Sequence, residues 1–189
     1  MDFINMEVSR NGSYGIGTAD GKTRQVVVAG LPLPVALEGP WEVRFEAGRG
    51  APDQVVFDRL VSWSDHPDSG VKYYSGAAVY HKTFDFVPVA VADPLLKPVV
   101  ALDLGAVAVM AAVNLNGKDL GVLWKPPYRV DITGSVRPGS NTIEIRVVNL
   151  PINRMLGDEL LPEDSERKAD GTLKQWPQWL QNKITQSSL

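Results

Sequence analysis

The sequence contains no cysteine, so neither a disulfide nor a thiolate metal ligand contributes to its structure. His66 and His81 are its 2 histidines, and neither belongs to an HExxH or Cys–His pattern, which argues against a transition-metal site. No apolar run reaches the roughly 18 residues that a membrane-spanning helix needs. With a net charge of −3 and no basic stripe, the sequence also argues against a nucleic-acid partner.

Several other signals are missing. There is no GxSxG nucleophile elbow. The glycines of Gly12–Gly17 belong to a hairpin, and no helix follows to receive a phosphate. The N-terminus has acidic residues where a signal peptide needs a basic region. We therefore expect a soluble protein that is either cytoplasmic or a segment of a larger protein, which in turn is cytoplasmic or exported to the periplasm or the exterior.

What the sequence does contain is turn residues, with 14 prolines and 17 glycines spread along 189 residues. They separate about nine short apolar runs, as expected for strands joined by tight turns. The pattern predicts an all-β protein, an antiparallel β-sandwich of the jelly-roll type, with a closed β-barrel as the alternative. We expect a lead-in at residues 1–10, the sandwich module at 11–162 and a mobile tail at 163–189.

Individual segments carry more specific expectations. Asp20-Gly21 is a pair favoured at a hairpin turn. Val107–Val113 is apolar at every position, which predicts a central strand covered on both faces. Pro151–Pro162 is expected to be irregular, and Gln175–Asn182 is expected to form a short helix around two tryptophans.

The loop Trp124–Tyr128 stands out within the strand-rich stretch Leu102–Val148 because two large aromatics flank a Pro-Pro pair. A flat ring suits the C–H face of a sugar, and nearby polar side chains suit its hydroxyls. The alternative is that such rings close the ends of the sandwich. For Trp41, beside a strand start, the core role is favoured; for the loop pair, both readings stay open.

Carboxylates are plentiful, and glycoside hydrolysis needs two of them at a defined separation. Most have structural explanations in turns or on solvated strand faces, so a catalytic pair within this chain is disfavoured. Arg154 is expected to pair with Asp158 or Glu159 and pin its loop. A sugar contact by Asn153 and Arg154 is the alternative.

An ordered set of motifs resembles a known family. The motifs are Gly39-Pro40-Trp41-Glu42-Val43, Lys72-Tyr73-Tyr74-Ser75-Gly76, Leu102-Asp103-Leu104-Gly105, Asn116-Gly117-Lys118-Asp119-Leu120-Gly121, Trp124-Lys125-Pro126-Pro127-Tyr128, Asp131-Ile132-Thr133, Gly139-Ser140-Asn141, Asn153-Arg154-Met155-Leu156-Gly157-Asp158 and Leu161-Pro162. Together they resemble the C-terminal sugar-binding-like module of bacterial glycosidases of the α-L-rhamnosidase kind. More distantly, they resemble the jelly-roll sugar-binding domain of the β-galactosidase and β-glucuronidase family.

The resemblance implies a galactose-binding-like β-sandwich that accompanies a catalytic domain, with the catalytic carboxylates in that other domain. It also implies a structural calcium, without assigning its ligands, and no required cofactor. Similar modules continue into a further strand after the position of Trp179, so this chain is expected to lack its last strand. An unpaired edge would then favour a homodimer.

The sequence thus predicts a non-catalytic carbohydrate-binding or accessory module of a glycoside hydrolase. The alternatives are a small stand-alone glycosidase with a carboxylate pair and a structural docking module that binds no sugar. The catalytic site is expected outside the chain. The predicted sugar-binding residues are Trp124, Tyr128, Trp63, Tyr73, Tyr74, Lys125, Asp103, Asn153 and Arg154.

Overall fold

The computed structural model describes residues 8, 10–17, 19–88, 98–161 and 165–175. They belong to two compact units, Met1–Ala36 and Leu37–Leu189. The first unit contains the antiparallel hairpin of β1 (Gly12–Gly17) and β2 (Thr23–Val28). Gly21 turns the chain at φ 80°, a conformation that glycine adopts without steric cost. The hairpin predicted at Asp20-Gly21 is therefore confirmed.

The second unit supplies the other regular elements of the described residues. Its strands are β3 (Trp41–Phe45), β4 (Gln54–Phe57), β5 (Ala77–Phe86), β6 (Ala101–Asp103), β7 (Met110–Leu115), β8 (Lys118–Leu123), β9 (Arg129–Asp131) and β10 (Gly139–Val148). Its helical segments are a 3₁₀ turn (Trp63–Asp65), α1 (Ser69–Lys72) and α2 (Ile152–Asp158). In the described parts of the chain, no helix is long and apolar enough to cross a bilayer.

Six of these strands form one antiparallel sheet in the order β4-β3-β5-β10-β7-β8, and β6 pairs with β9 in a second, two-stranded sheet. The predicted all-β, antiparallel sandwich class is confirmed. The jelly-roll topology, the closed barrel and the missing last strand remain sequence-based interpretations.

The core lies on one face of the large sheet because side chains alternate along each strand. Trp41, Val43 and Phe45 of β3 are buried on this face, and Ile143 of β10 is fully buried beside them. The two-stranded sheet and the loop before β5 pack against the same cluster. Clustered in this way, the side chains remove their apolar surface from water, which is the main stabilising contribution to the fold.

Strand β7 differs from the expectation for Val107–Val113. It begins at Met110 and alternates, with Ala111, Val113 and Leu115 buried and Met110 38% exposed. Within the predicted range, the outward residues Met110 and Ala112 are apolar too, which hides the alternation in the sequence. The prediction of a strand covered on both faces was therefore wrong.

Helix α2 replaces the irregular structure expected for Pro151–Pro162. Pro151 precedes its first turn, and an ion pair joins Arg154 to Asp158 one turn later. Ile152, Met155 and Leu156 do have a helical spacing, but α2 has only 7 residues, fewer than the roughly 11 over which a helical period can be recognised. The helix predicted for Gln175–Asn182 lies, from residue 176 onward, outside the described residues.

Candidate functional site

The candidate site is one end of the large sheet, where several loops meet. The register pairs Leu123 with Ala111, and Met110 with Val148. Trp124 directly follows β8, and α2 follows β10. The loop Trp124–Tyr128 and helix α2, which are far apart in sequence, therefore leave the sheet at the same end.

Trp124 is the most exposed of the predicted aromatics. Its side chain is 66% exposed, and the ammonium of Lys125 lies 5.2 Å from the centroid of its ring. This distance is within the range of a cation–π contact. The pair therefore offers solvent a flat aromatic surface with a positive charge beside it.

Tyr128 has a more structural position. It is half-buried, its hydroxyl donates to the Val109 carbonyl at 3.0 Å, and its own carbonyl accepts from the Leu104 N–H at 2.8 Å. Asp103 lies on the neighbouring strand and is exposed, with its carboxylate accepting the Gly105 N–H at 2.8 Å. Tyr128 thus holds the loop in place, while Asp103 keeps a carboxylate at the surface.

Helix α2 is fastened to the loop before β5. The backbone N–H of Arg154 donates to Ser75 Oγ at 2.9 Å, and its guanidinium Nε donates to Asp158 Oδ1 at 2.8 Å. The ion pair expected between Arg154 and Asp158 is therefore present. Asn153 is half-buried on the same helix.

Tyr73 lies half-buried under this helix. A Cβ added to Gly157 would lie 2.8 Å from Tyr73 Cβ, so the two backbones approach closely there. The Lys72 ammonium lies 5.6 Å from the centroid of the Tyr73 ring. One side of this ring therefore supports α2 and is closed to a ligand.

Trp63 and Tyr74 lie in the core and offer no exposed surface for stacking. Trp63 is 7% exposed, and its indole N–H donates to Tyr80 Oη at 2.6 Å. Tyr74 is 0% exposed; its hydroxyl donates to the Ala77 carbonyl at 2.7 Å and accepts the Glu46 N–H at 3.2 Å. Burial raises the pKa of both Tyr74 and Tyr80.

Sequence reasoning missed one residue that organises this end. The Asn149 side-chain oxygen accepts the Gly76 N–H at 2.9 Å, and its nitrogen donates to the Tyr74 carbonyl at 2.9 Å. Asn149 thereby joins the end of β10 to the loop that carries Tyr73. An asparagine after a strand usually signals a turn, so this link has no signature of its own in the sequence.

Asp131 and Asp170 give no support to an acid catalyst. The hydroxyl and then the N–H of Thr133 lower the pKa of Asp131, and Thr172 lowers the pKa of Asp170 in the same way. A glycosidase general acid requires the opposite shift. Among the described residues there is no group of three or more His, Asp or Glu side chains that could hold a metal ion, and the calcium that the resemblance implies stays a prediction.

A shallow depression of about 340 Å³ lies elsewhere, on β3–β5. It is lined by Pro40, Glu42, Val56, His81, Lys82 and Thr83. None of the predicted sugar-binding residues lines it, so it adds nothing to the candidate site.

No family model matches the chain. Over 179 residues it is 44% identical to a protein of Formosa agariphila named "Putative beta-glucuronidase", an alignment that covers 94% of this chain and 15% of that protein. A rhamnosidase from Novosphingobium sp. PP1Y superposes with a TM-score of 0.61 and 36% identity, over 76% of this chain and 14% of the rhamnosidase. The chain therefore spans only about 15% of the curated relative it matches, and its similarity is to one small part of large glycoside hydrolases.

Proposed function

We propose that this chain is a non-catalytic carbohydrate-binding accessory module of a glycoside hydrolase. The observation that carries the proposal is Trp124, which is 66% exposed on a loop of a rigid sheet while Trp41 and Trp63 are buried. A large exposed ring has no role in the core, and loops on a sheet scaffold are common binding sites. The similarity to parts of a glucuronidase-named protein and a rhamnosidase supports the assignment to sugar chemistry.

The proposed binding surface consists of Trp124 with polar groups around it. Lys125 lies beside the ring. Asp103 ends β6, where it pairs with Arg129 next to the loop, and Asn153 and Arg154 lie on α2, which leaves the large sheet at the same end. Tyr73 and Tyr128 shape this end from half-buried positions. Trp63 and Tyr74 are left out of the surface because a ligand in solvent cannot reach them.

Lys125 also suggests the class of sugar. An ammonium 5.2 Å from the centre of the stacking ring suits a sugar that carries a carboxylate, because the ring and the charge can be satisfied by one ligand. We therefore infer a preference for uronic acids over neutral sugars. Binding through such an exposed charge weakens as salt rises.

The test is a calorimetric titration of the chain with glucuronate, galacturonate, rhamnose and galactose, and gel retardation in plant and algal polysaccharides. Trp124→Ala should weaken binding by about 2 kcal/mol, or about thirtyfold, as truncation of a central aromatic anchor commonly does. Lys125→Gln should weaken uronate binding and leave neutral sugars unaffected.

Leu60→Ala is the matched control, since Leu60 is 57% exposed and lies on another loop. It should bind like the parent chain. If no sugar produces heat or retardation, or if Trp124→Ala binds as tightly as Leu60→Ala, the proposal fails.

A further inference from the structure

The two-stranded sheet of β6 and β9 has a charged outer side. Leu102 and Val130 lie opposite each other and pack against the core. Asp103, Arg129 and Asp131 are exposed. Because side chains alternate between the two faces along each strand, these three charged residues share the side that faces solvent. We call them the charged row of the small sheet.

Asp103 and Arg129 lie directly opposite each other in the charged row. The adjoining pair is hydrogen-bonded, since the Leu104 N–H donates to the Tyr128 carbonyl at 2.8 Å. Asp103 and Arg129 are therefore a non-hydrogen-bonded pair, in which the Cα atoms are about 4.5 Å apart and the side chains approach most closely. Opposite charges at such a position attract each other, so an ion pair is expected here.

The structure has no such ion pair, because both carboxylates of the charged row bond to their own backbone. Asp103 Oδ1 accepts the Gly105 N–H at 2.8 Å, and Asp131 Oδ1 accepts the Thr133 N–H at 2.8 Å. Aspartate commonly bonds the backbone two residues further on in this way. The guanidinium of Arg129 consequently has neither an ion pair nor a hydrogen bond with any residue that the structure describes.

Strand β3 shows the contrasting case. There Arg44 forms an ion pair with Glu42, which lies two residues away on the same strand and the same face. Arg129 has one carboxylate at that spacing and a second one opposite, yet it pairs with neither. Its N–H donors therefore stay available to a group from outside the chain. A planar guanidinium fits a carboxylate through two parallel hydrogen bonds.

Arg129 lies at the base of the proposed binding loop. Trp124 directly follows β8, Arg129 is the first residue of β9, and the two strands lie against each other. The Arg129 N–H donates to the Pro127 carbonyl at 2.8 Å, which fastens this residue to the loop itself. The exposed ring and the unpaired guanidinium therefore stand at the two ends of one short loop, on neighbouring strands.

We propose that Arg129 binds the carboxylate of a uronic acid through both arms of its guanidinium, while the ring of Trp124 carries the C–H face of the same sugar. The inference rests on the proposed function, and it assigns the preference for acidic sugars to a residue outside the sequence motifs. Lys125 adds attraction as a compact charge, but its ammonium lacks the planar fork that fits a carboxylate. Arg129 is thus the specificity-determining residue of the surface.

The two carboxylates of the charged row limit what Arg129 can accept. Each has about four acceptor positions when ionised, so the bond to its own backbone leaves Asp103 and Asp131 able to accept from sugar hydroxyls. The same two charges repel a group that carries more than one negative charge. The charged row therefore suits one carboxylate surrounded by hydroxyls, as in a uronic acid, better than a sugar phosphate.

A matched pair of ligands tests the assignment. Glucuronate and its methyl ester share one sugar ring, but only glucuronate carries a charge. Calorimetric titration at low ionic strength, where exposed charges are least screened, measures the affinity of the full chain for each. Arg129→Gln should weaken glucuronate binding by about tenfold, because charge-assisted hydrogen bonds are lost, and should leave the ester unaffected. Arg129→Lys should recover only part of the loss, since it keeps the charge without the fork.

Arg59→Gln is the matched control, because Arg59 is also exposed and lies on another loop. It makes the same change of charge and should bind glucuronate like the parent chain. Glucose 6-phosphate is the control ligand for the two carboxylates. The parent chain should bind it more weakly than glucuronate, and Asp103→Asn should narrow that difference, because the amide oxygen still accepts the Gly105 N–H while the charge is gone.

The outcomes separate this inference from the proposed function. If the parent chain binds neither glucuronate nor its ester, the proposed function fails and the role of Arg129 fails with it. If the parent chain binds glucuronate and Arg129→Gln binds it as tightly as Arg59→Gln does, only the role of Arg129 is overturned. An equal loss for glucuronate and its ester would show that Arg129 merely holds the loop in place, and full recovery in Arg129→Lys would exclude the two-armed contact; either result overturns the proposal.

Discussion

At the scale of single residues, Asn141 has four side-chain hydrogen bonds to described residues, although sequence reasoning identified it only as part of the Gly139-Ser140-Asn141 motif. Asn141 is 1% exposed, and its oxygen accepts from Asn116 Nδ2 at 2.8 Å and from the Arg137 N–H at 2.9 Å. Its nitrogen donates to the carbonyls of Arg137 and Gly139, both at 2.7 Å. A buried side-chain amide whose donors and acceptors are all hydrogen-bonded stabilises the turn around it. Without this amide, the backbone groups that it contacts would be buried without a partner.

Asn141→Ala should therefore lower the free energy of unfolding by about 3 kcal/mol, because buried backbone groups lose their partners. Urea unfolding followed by far-UV circular dichroism measures the change. Asn114→Ala is the control, since Asn114 is half-buried on the outward face of β7. If both variants lost the same free energy of unfolding, the Asn141 hydrogen bonds would not be the source of the stabilisation.

Tyr80 links burial to pH. Burial raises its pKa above the ordinary value of 10.0, and the hydrogen bond from Trp63 lowers it in part. A raised folded-state pKa means that the unfolded chain loses its proton first. The neutral phenol therefore contributes its full stabilisation below pH 10. As the pH rises from 10 through the folded-state pKa, this contribution to the free energy of unfolding is lost. Tyr74 has the same direction of shift, so both contribute to alkaline unfolding.

Tyr80→Phe should have two opposite effects. At pH 7 it should destabilise the fold by about 1 to 3 kcal/mol, because the buried Trp63 N–H loses its acceptor. Above pH 10 its stability should fall less steeply than that of the parent chain. Thermal unfolding from pH 7 to about 11.5 tests both, with Tyr14→Phe, which removes an exposed bond to Arg10, as the control. If the melting temperatures of Tyr80→Phe and the parent chain fell equally steeply above pH 10, this account would be contradicted.

At the scale of elements, strands were predictable and short helices were not. The alternation in Ala77–Phe86 predicts a strand with the bounds that β5 has. Asn116-Gly117 is a pair favoured at a hairpin turn, and it joins β7 to β8. Strands reveal themselves because one face is buried and the alternation survives in the sequence. Helix α2 was not predicted because it has only 7 residues, too few for its apolar spacing to be distinguished from an irregular segment.

Gly157→Ala tests the seating of α2. Replacing a glycine by alanine commonly stabilises by about 0.4 to 1 kcal/mol. Here the new Cβ would lie 2.8 Å from Tyr73 Cβ, so we expect a loss of about 1 to 2 kcal/mol from overpacking. Thermal unfolding monitored by near-UV circular dichroism measures it.

Gly134→Ala is the matched control because its Cβ would meet only the Lys118 ammonium, at 4.0 Å. A stabilising Gly157→Ala would show that α2 can move away from Tyr73.

At the scale of the whole molecule, the all-β sandwich class could be predicted from composition and turn spacing. The residues of the candidate site could be predicted only in part. Trp124 and Lys125 are exposed, as a binding surface requires, whereas Trp63 and Tyr74 are buried in the core. A one-dimensional pattern cannot tell an aromatic that closes a sandwich from one that meets a ligand, since both lie in loops. The edge-mediated homodimer stays a prediction, with β4 and β8 as the edges of the large sheet.

The position of β10 has a consequence for synthesis on the ribosome. Among the described strands β10 is the last in the chain, yet it lies between β5 and β7 near the centre of the large sheet. Until Val148 has been made, β5 and β7 each lack a neighbour. At about 5 to 20 residues per second, the roughly 70 residues from Ala77 to Val148 take about 4 to 14 s. During that interval one edge of β5, and later one edge of β7, lacks its partner strand and is open to non-native pairing.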